Sequence, residues 1–168
     1  MSILKKFRVI VDLQNPYDFD ALPDLAELQL WCKKAIQTVS YSNIFNDSLS
    51  VLVRVVNDAE SAELNKTYRE KEGPTNIEKS GLDNDQKIQR REQQSHLGDL
   101  VICHSLVANE ALEQDKSVIS HWAHLIVHGT LHLQGFDHVD DDEADQMEGL
   151  EIKILEQLGF KNPYMIKQ

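Results

Sequence analysis

Apolar and polar positions alternate from the start of the chain. Phe7, Val9, Val11 and Leu13 share one face and interleave with Arg8, Ile10 and Asp12. That period of two predicts a strand, closed by Asn15-Pro16. Over 22–40 the spacing becomes helical: Leu25, Leu28, Cys32, Ile36 and Val39 form one stripe, and Pro23 suits the first turn. The polar stretch from Ser40 to Ser48 returns the chain, and Leu49 to Val56, rich in β-branched residues, predicts a central strand. Asn57 or Asp58 can cap a second helix that runs to about Tyr68-Arg69, with Leu64 and Tyr68 four apart on one face. Glu72-Gly73-Pro74 breaks it.

Residues 77–96 are polar with little periodicity and predict a long exposed loop, with room for a short edge strand. Leu97 to Cys103 then predicts a compact strand, and His104 to Gln114 a short helix. A further helix starts at Ser117 or Ser120 and carries Trp122, Leu125, Ile126 and Leu133 on a face able to pack on a sheet. The acids from Asp140 to Asp145 suit the N-terminus of a last helix. Its stripe is Ala144, Met147, Glu151, Ile154, Leu155 and Leu158, apolar except for the glutamate, and Gly159 stops it. The order β-α-β-α-(β)-β-α-α-α predicts a mixed sheet with helices packed on it. The length, 168 residues, fits a single domain over 1–168.

The helix after Ser117 changes the picture, because five of the seven histidines lie in His121–His138. His128 and His132 are four apart, hence on one helical face. Gly135 can end that helix in a left-handed turn and let the chain deliver His138 to the same place. Three neutral imidazoles converging in this way suit one zinc ion, with a fourth coordination position left open. Metzincin proteases share this histidine and glycine spacing, but the glutamate that acts as their base is replaced here by Gly129. The cage is retained and the base for peptide hydrolysis is not. Asp137, beside the third histidine, either orients a ligand or forms a turn. His124 shares the face of His128, as a support for the site or as a structural histidine, and His121 is expected to be exposed. His96 and His104 have no partner visible from spacing.

Tyr68-Arg69-Glu70-Lys71, followed by Pro74-Thr75-Asn76, puts two cations at a helix end before a tight break. An arginine fork there pairs well with phosphate, and cations at that end also simply complement the helix dipole. The net charge of −11 argues against a general nucleic-acid coat protein but not against a local basic groove. Lys79, Lys87, Arg90 and Arg91 are candidates for such a groove. No run approaches a membrane span of ~20 apolar residues, and the N-terminus has no signal-peptide core. Cys32 and Cys103, without CxxC spacing, are expected to be reduced thiols in a cytoplasmic protein.

Along nearly its whole length the sequence resembles the YbeY family of bacterial endoribonucleases. The resemblance is carried by His128-Gly-Thr-Leu-His-Leu-Gln-Gly-Phe-Asp-His138, by Leu64-Asn65 with Tyr68-Arg69, by Pro74-Thr75-Asn76, and by Leu97-Gly-Asp-Leu-Val-Ile-Cys103. The Asp140-Asp-Asp-Glu-Ala run and Asn162-Pro163-Tyr164 fit as well. It implies an α+β fold: a small mixed sheet of about four strands, five helices packed on it, and a metal site on a central helix and the turn after it. It also implies one zinc ion on His128, His132 and His138, and a functional role for Arg69. After Pro-Thr-Asn the family usually continues with an apolar strand, where this chain has Ile77-Glu78-Lys79-Ser80-Gly81.

The activity implied is a zinc-dependent, single-strand-preferring endoribonuclease in 16S rRNA 3′-end maturation and ribosome quality control. Its partners would be precursor ribosomal RNA and the small ribosomal subunit with its proteins, and no membrane. Arg69 would hold the scissile phosphate, and either water or the RNA 2′-hydroxyl would attack. Two alternatives use the same residues: a metal-dependent hydrolase of another substrate, and a non-catalytic ribosome-assembly factor with structural zinc.

Overall fold

The structure, a computed structural model, describes residues 8–40, 48–69, 77–80, 94–136 and 140–165. The strands are β1 (Arg8–Gln14), β2 (Ser48–Val56), β3 (Ile77–Ser80) and β4 (Gln94–Cys103). Among the described residues there are five helices: α1 (Leu25–Ser40), α2 (Asp58–Arg69), α3 (His104–Glu113), α4 (Val118–Leu133) and α5 (Asp141–Gln157). The sheet order is β1-β2-β4-β3. β1, β2 and β4 run parallel, which requires the crossovers that α1 and α2 supply. β3 pairs antiparallel with β4, from Ile77 opposite Ile102 to Ser80 opposite Asp99.

The alternation read from the sequence becomes the two faces of this sheet. Val9, Val11, Val51, Val53, Val55, Leu100 and Ile102 point into the main core. They meet Leu28, Trp31, Cys32 and Ile36 of α1, Trp122, Ile126 and Leu131 of α4, and Met147, Ile154 and Leu155 of α5. Val56, Val101 and Cys103 form a separate small cluster with Leu64 of α2 and Leu106 of α3. β2 thus contributes Val51, Val53 and Val55 to the main core and Val56 to the small cluster, while Arg54 is partly exposed and pairs with Glu60 at 2.6 Å.

Helix starts follow side-chain capping. Asp24 Oδ1 accepts from the Glu27 N–H and Glu27 Oε1 accepts from the Asp24 N–H, a reciprocal capping box. That box starts α1 at Leu25, a turn later than the stripe alone predicts, and leaves Pro23 ahead of the helix. Asn57 caps α2 by accepting from the Glu60 N–H at 2.9 Å. Ser117 and Asp140 do the same for α4 and α5.

The stretch 77–96 holds the short edge strand it had room for, and departs from the expected loop at its far end. Ile77–Ser80 forms β3, and Gln94–His96 already belongs to β4. Residues 81–93, with Lys87, Arg90 and Arg91, fall outside the described residues. β4 carries a bulge: Ser50 pairs with His96 and Val51 with Gly98, so Leu97 is the extra residue. Polar pairing accompanies it, because His96 lies 2.7 Å from both Ser50 Oγ and Asp99 Oδ1.

Gly98 lies under the C-terminal turn of α4. A Cβ built there would sit 2.4 Å from Leu133 Cδ2. The described glycines with positive φ are Gly135 and Gly159, so Gly98 is needed for space and not for backbone conformation. This close approach lays the last turn of α4, which carries His132, against β4.

Candidate metal centre

α4 brings His128 and His132 together. Their ring centroids are 4.7 Å apart and the rings are inclined at 69°. They lie one turn apart on the side of the helix away from the buried Ile126 and Val127. The helix then ends as the glycine predicts. Gly135 has φ +102°. Its N–H reaches the His132 carbonyl at 3.0 Å, and the Phe136 N–H reaches the Leu131 carbonyl at 3.2 Å. This is a Schellman closure, which reverses the chain and satisfies two carbonyls of the last turn. It directs the chain toward Asp137 and His138, which lie outside the described residues. Among the described residues no group of three His, Cys, Asp or Glu side chains is placed to hold a metal ion. Arg69 closes α2, and its side chain also lies outside the described set.

Behind His128 is a group that spacing does not indicate. Glu151 of α5 is 1% exposed, and its Oε1 is 3.0 Å from His128 Nδ1 and 2.9 Å from His124 Nε2. The Tyr164 hydroxyl donates to the same carboxylate at 3.0–3.1 Å. The carboxylate therefore has three hydrogen-bonding partners in the protein interior. Burial by itself pushes its pKa up; the hydrogen bonds from His124 and His128 outweigh that and hold it at about 2. Burial, then the Glu151 charge, raises the pKa of Tyr164, which stays a phenol and a donor.

The path that brings Tyr164 here is a second Schellman closure. At the end of α5, Gly159 has φ +92°. The Phe160 N–H bonds to the Leu155 carbonyl at 2.8 Å and the Gly159 N–H to that of Glu156 at 3.1 Å. The Asn162-Pro163-Tyr164 turn follows, held by Asn162 Oδ1 accepting from the Tyr164 N–H.

The remaining histidines sort by partner. Lys116 Nζ lies 3.3 Å from His124 Nδ1, and the Tyr164 ring meets the His124 ring edge-on at 5.4 Å. His121, expected to be exposed, is 2% exposed and pairs through Nε2 with Glu110 at 2.8 Å. Its Nδ1 is buried and has no hydrogen-bond partner among the described residues. Burial lowers its pKa, which keeps the ring neutral with one donor for Glu110. The first turn of α4 is covered by α3, which the sequence pattern does not reveal. His104 stacks on Phe19 at 4.1 Å and is structural.

Comparison with known proteins decides the lineage. A sequence model of the family described as Endoribonuclease YbeY matches residues 14–159. The chain belongs to the YbeY family. A YbeY endoribonuclease of Colwellia psychrerythraea strain 34H is 44% identical over 156 residues, spanning 93% of this chain and 97% of the relative. The solution structure of TM1509 from Thermotoga maritima has the same fold, with a TM-score of 0.53 at 18% identity over 90% of this chain and 91% of that one. YbeY membership makes the protein a nuclease acting on RNA phosphodiester bonds. It removes the readings as a hydrolase of another substrate and as a non-catalytic assembly factor. No helix among the described residues is long and apolar enough to cross a membrane.

Proposed function

We propose that the chain is one metal-dependent endoribonuclease domain that holds a single zinc ion on His128, His132 and His138 and acts on single-stranded precursor ribosomal RNA. The observation that carries this reading is the pair of imidazoles on α4, 4.7 Å apart, followed directly by the Gly135 reversal toward His138. The donor set fits zinc. A carboxylate accepts from His128 Nδ1, which leaves the ring lone pair on Nε2, the atom a metal takes. When bound, the ion supplies Lewis acidity toward a phosphoryl oxygen or toward water.

The protein's own groups divide the remaining work. Arg69, at the end of α2, holds the scissile phosphate and offsets charge that builds on it during cleavage. Gly129 stands where a protease would have its general base, so the motif supplies no carboxylate base, and the attacking group is either water or the RNA 2′-hydroxyl. We place the activity in 16S rRNA 3′-end maturation and ribosome quality control in the cytoplasm, with the small ribosomal subunit as partner. The test is cleavage of a precursor 16S rRNA by purified protein, with chelator and with zinc restored. Loss and recovery of cleavage are expected. Products ending in a 2′,3′-cyclic phosphate identify the 2′-hydroxyl as nucleophile. Full activity in chelator would overturn the metal requirement.

A further inference from the structure

The Glu151 network does more than fill space between α4 and α5. A lysine ammonium only donates hydrogen bonds, so Lys116 makes His124 Nδ1 an acceptor. The His124 proton is then on Nε2, which points at Glu151 Oε1 at 2.9 Å. The Tyr164 hydroxyl donates to the same carboxylate, 3.0 Å from Oε2 and 3.1 Å from Oε1. With these donors in place the carboxylate is ionised and can only accept. The remaining partner, His128 Nδ1 at 3.0 Å, must therefore carry its proton there.

We infer that Glu151, clamped by His124 and by Tyr164 of the C-terminal turn, is the positioning residue that sets the tautomer of His128 and aims its Nε2 at the metal. This rests on the reading of His128 as a metal ligand. It matters because histidine in water prefers the other tautomer, with the proton on Nε2, which has no lone pair there to give. Glu151 reverses that preference before any ion arrives. The arrangement also gives the Asn162-Pro163-Tyr164 turn a purpose. The turn lies beyond the last helix, yet its tyrosine buttresses a group that touches His128.

The experiment compares wild type, Glu151→Ala, Glu151→Gln and His128→Ala. The tautomer of His128 is read in metal-free, ¹⁵N-labelled protein by NMR, and zinc affinity by competition with a chromophoric chelator. Expected are an Nδ1–H tautomer in the wild type, a shift toward Nε2–H in Glu151→Ala, and a fall in zinc affinity of roughly 10–100-fold in that variant. Glu151→Gln keeps a carbonyl oxygen where Oε1 stands, so it should keep the Nδ1–H form and most of the affinity. An Nε2–H tautomer in the wild type would overturn the inference without any variant having to fold. So would a Glu151→Ala protein unchanged in both readouts. Zinc affinity undiminished in His128→Ala would instead remove the metal reading. The tautomer comparison would still show whether Glu151 controls the ring.

Discussion

Replacing Gly98 by alanine tests how the helix that carries the histidines is seated. The new Cβ would lie 2.4 Å from Leu133 Cδ2, 3.2 Å from Cδ1 and 3.3 Å from Cγ. Carbon atoms in contact settle at about 3.5–4.0 Å, so roughly 1 Å must be found. Leu133 has to leave its rotamer, or the last turn of α4 has to lift from β4. Overpacking of this kind costs about 1–3 kcal/mol. Removing a glycine from a strand interior returns ~0.5–1 kcal/mol. The net loss expected is about 1–2 kcal/mol, or roughly 2–8 °C in Tm for a chain of this size. The assay is urea unfolding of wild type, Gly98→Ala, Leu133→Ala and the double variant. With Leu133 truncated the clash is gone, so Gly98→Ala should then be neutral or slightly stabilising. An equal cost of Gly98→Ala with and without Leu133 would refute the close approach as the reason for glycine.

Other predictions are more local. Asp140→Ala removes the acceptor for the Glu143 N–H at 2.8 Å and should cost ~1 kcal/mol in urea unfolding, whereas Asp140→Asn should cost less; equal losses in the two would contradict the capping role. Burial pushes the Cys32 thiol up from 9.0 to about 12, against a weaker opposing hydrogen bond from Thr130. The raised folded-state pKa makes this contribution fully present below the unfolded thiol pKa and lost as pH rises from about 9 toward about 12. The loss is up to ~1.4 kcal/mol per pH unit, so Cys32→Ala should flatten the alkaline fall in stability, and an unchanged slope would reject it. Arg69→Ala should reduce RNA cleavage by at least ~10²-fold while zinc stays bound; normal cleavage by that variant would withdraw the role assigned to Arg69.

Much of the fold is legible in the sequence because periodicity and capping agree. β2 is rich in β-branched residues and lines the main core with Val51, Val53 and Val55, and α2, α4 and α5 start at residues whose side chains accept from their own first turns. The reversal after α4 could be read from Gly135 alone. The start of β4 could not. Gln94–His96 is too polar to read as a strand, yet it pairs with Ser48–Ser50 of β2, across a one-residue shift of register at Leu97. Ile77–Ser80 is the short edge strand that the polar stretch had room for, and it pairs through its backbone without the usual apolar pattern.

The supports of the candidate site were hidden for a related reason. His128 and His132 announce themselves by spacing, but Glu151 is 23 residues from His128 and Tyr164 is 13 further on. The one trace is a glutamate in an otherwise apolar stripe. A carboxylate on a face that must be buried needs donors, and the facing helix supplies His124 and His128. Read in that way, the interruption in the stripe points to the site. His121 shows the opposite case: its position near the helix start suggests solvent, but α3 covers it and presents Glu110.

The central claim is that the histidines of α4 and the turn after it hold the ion on which RNA cleavage depends. Its most direct test is the zinc content of purified wild type and His128→Ala, measured alongside cleavage of precursor 16S rRNA by the same samples. The account predicts about one zinc per wild-type chain, and loss of both metal and cleavage in the variant. A His128→Ala protein with full zinc content and undiminished cleavage would contradict it.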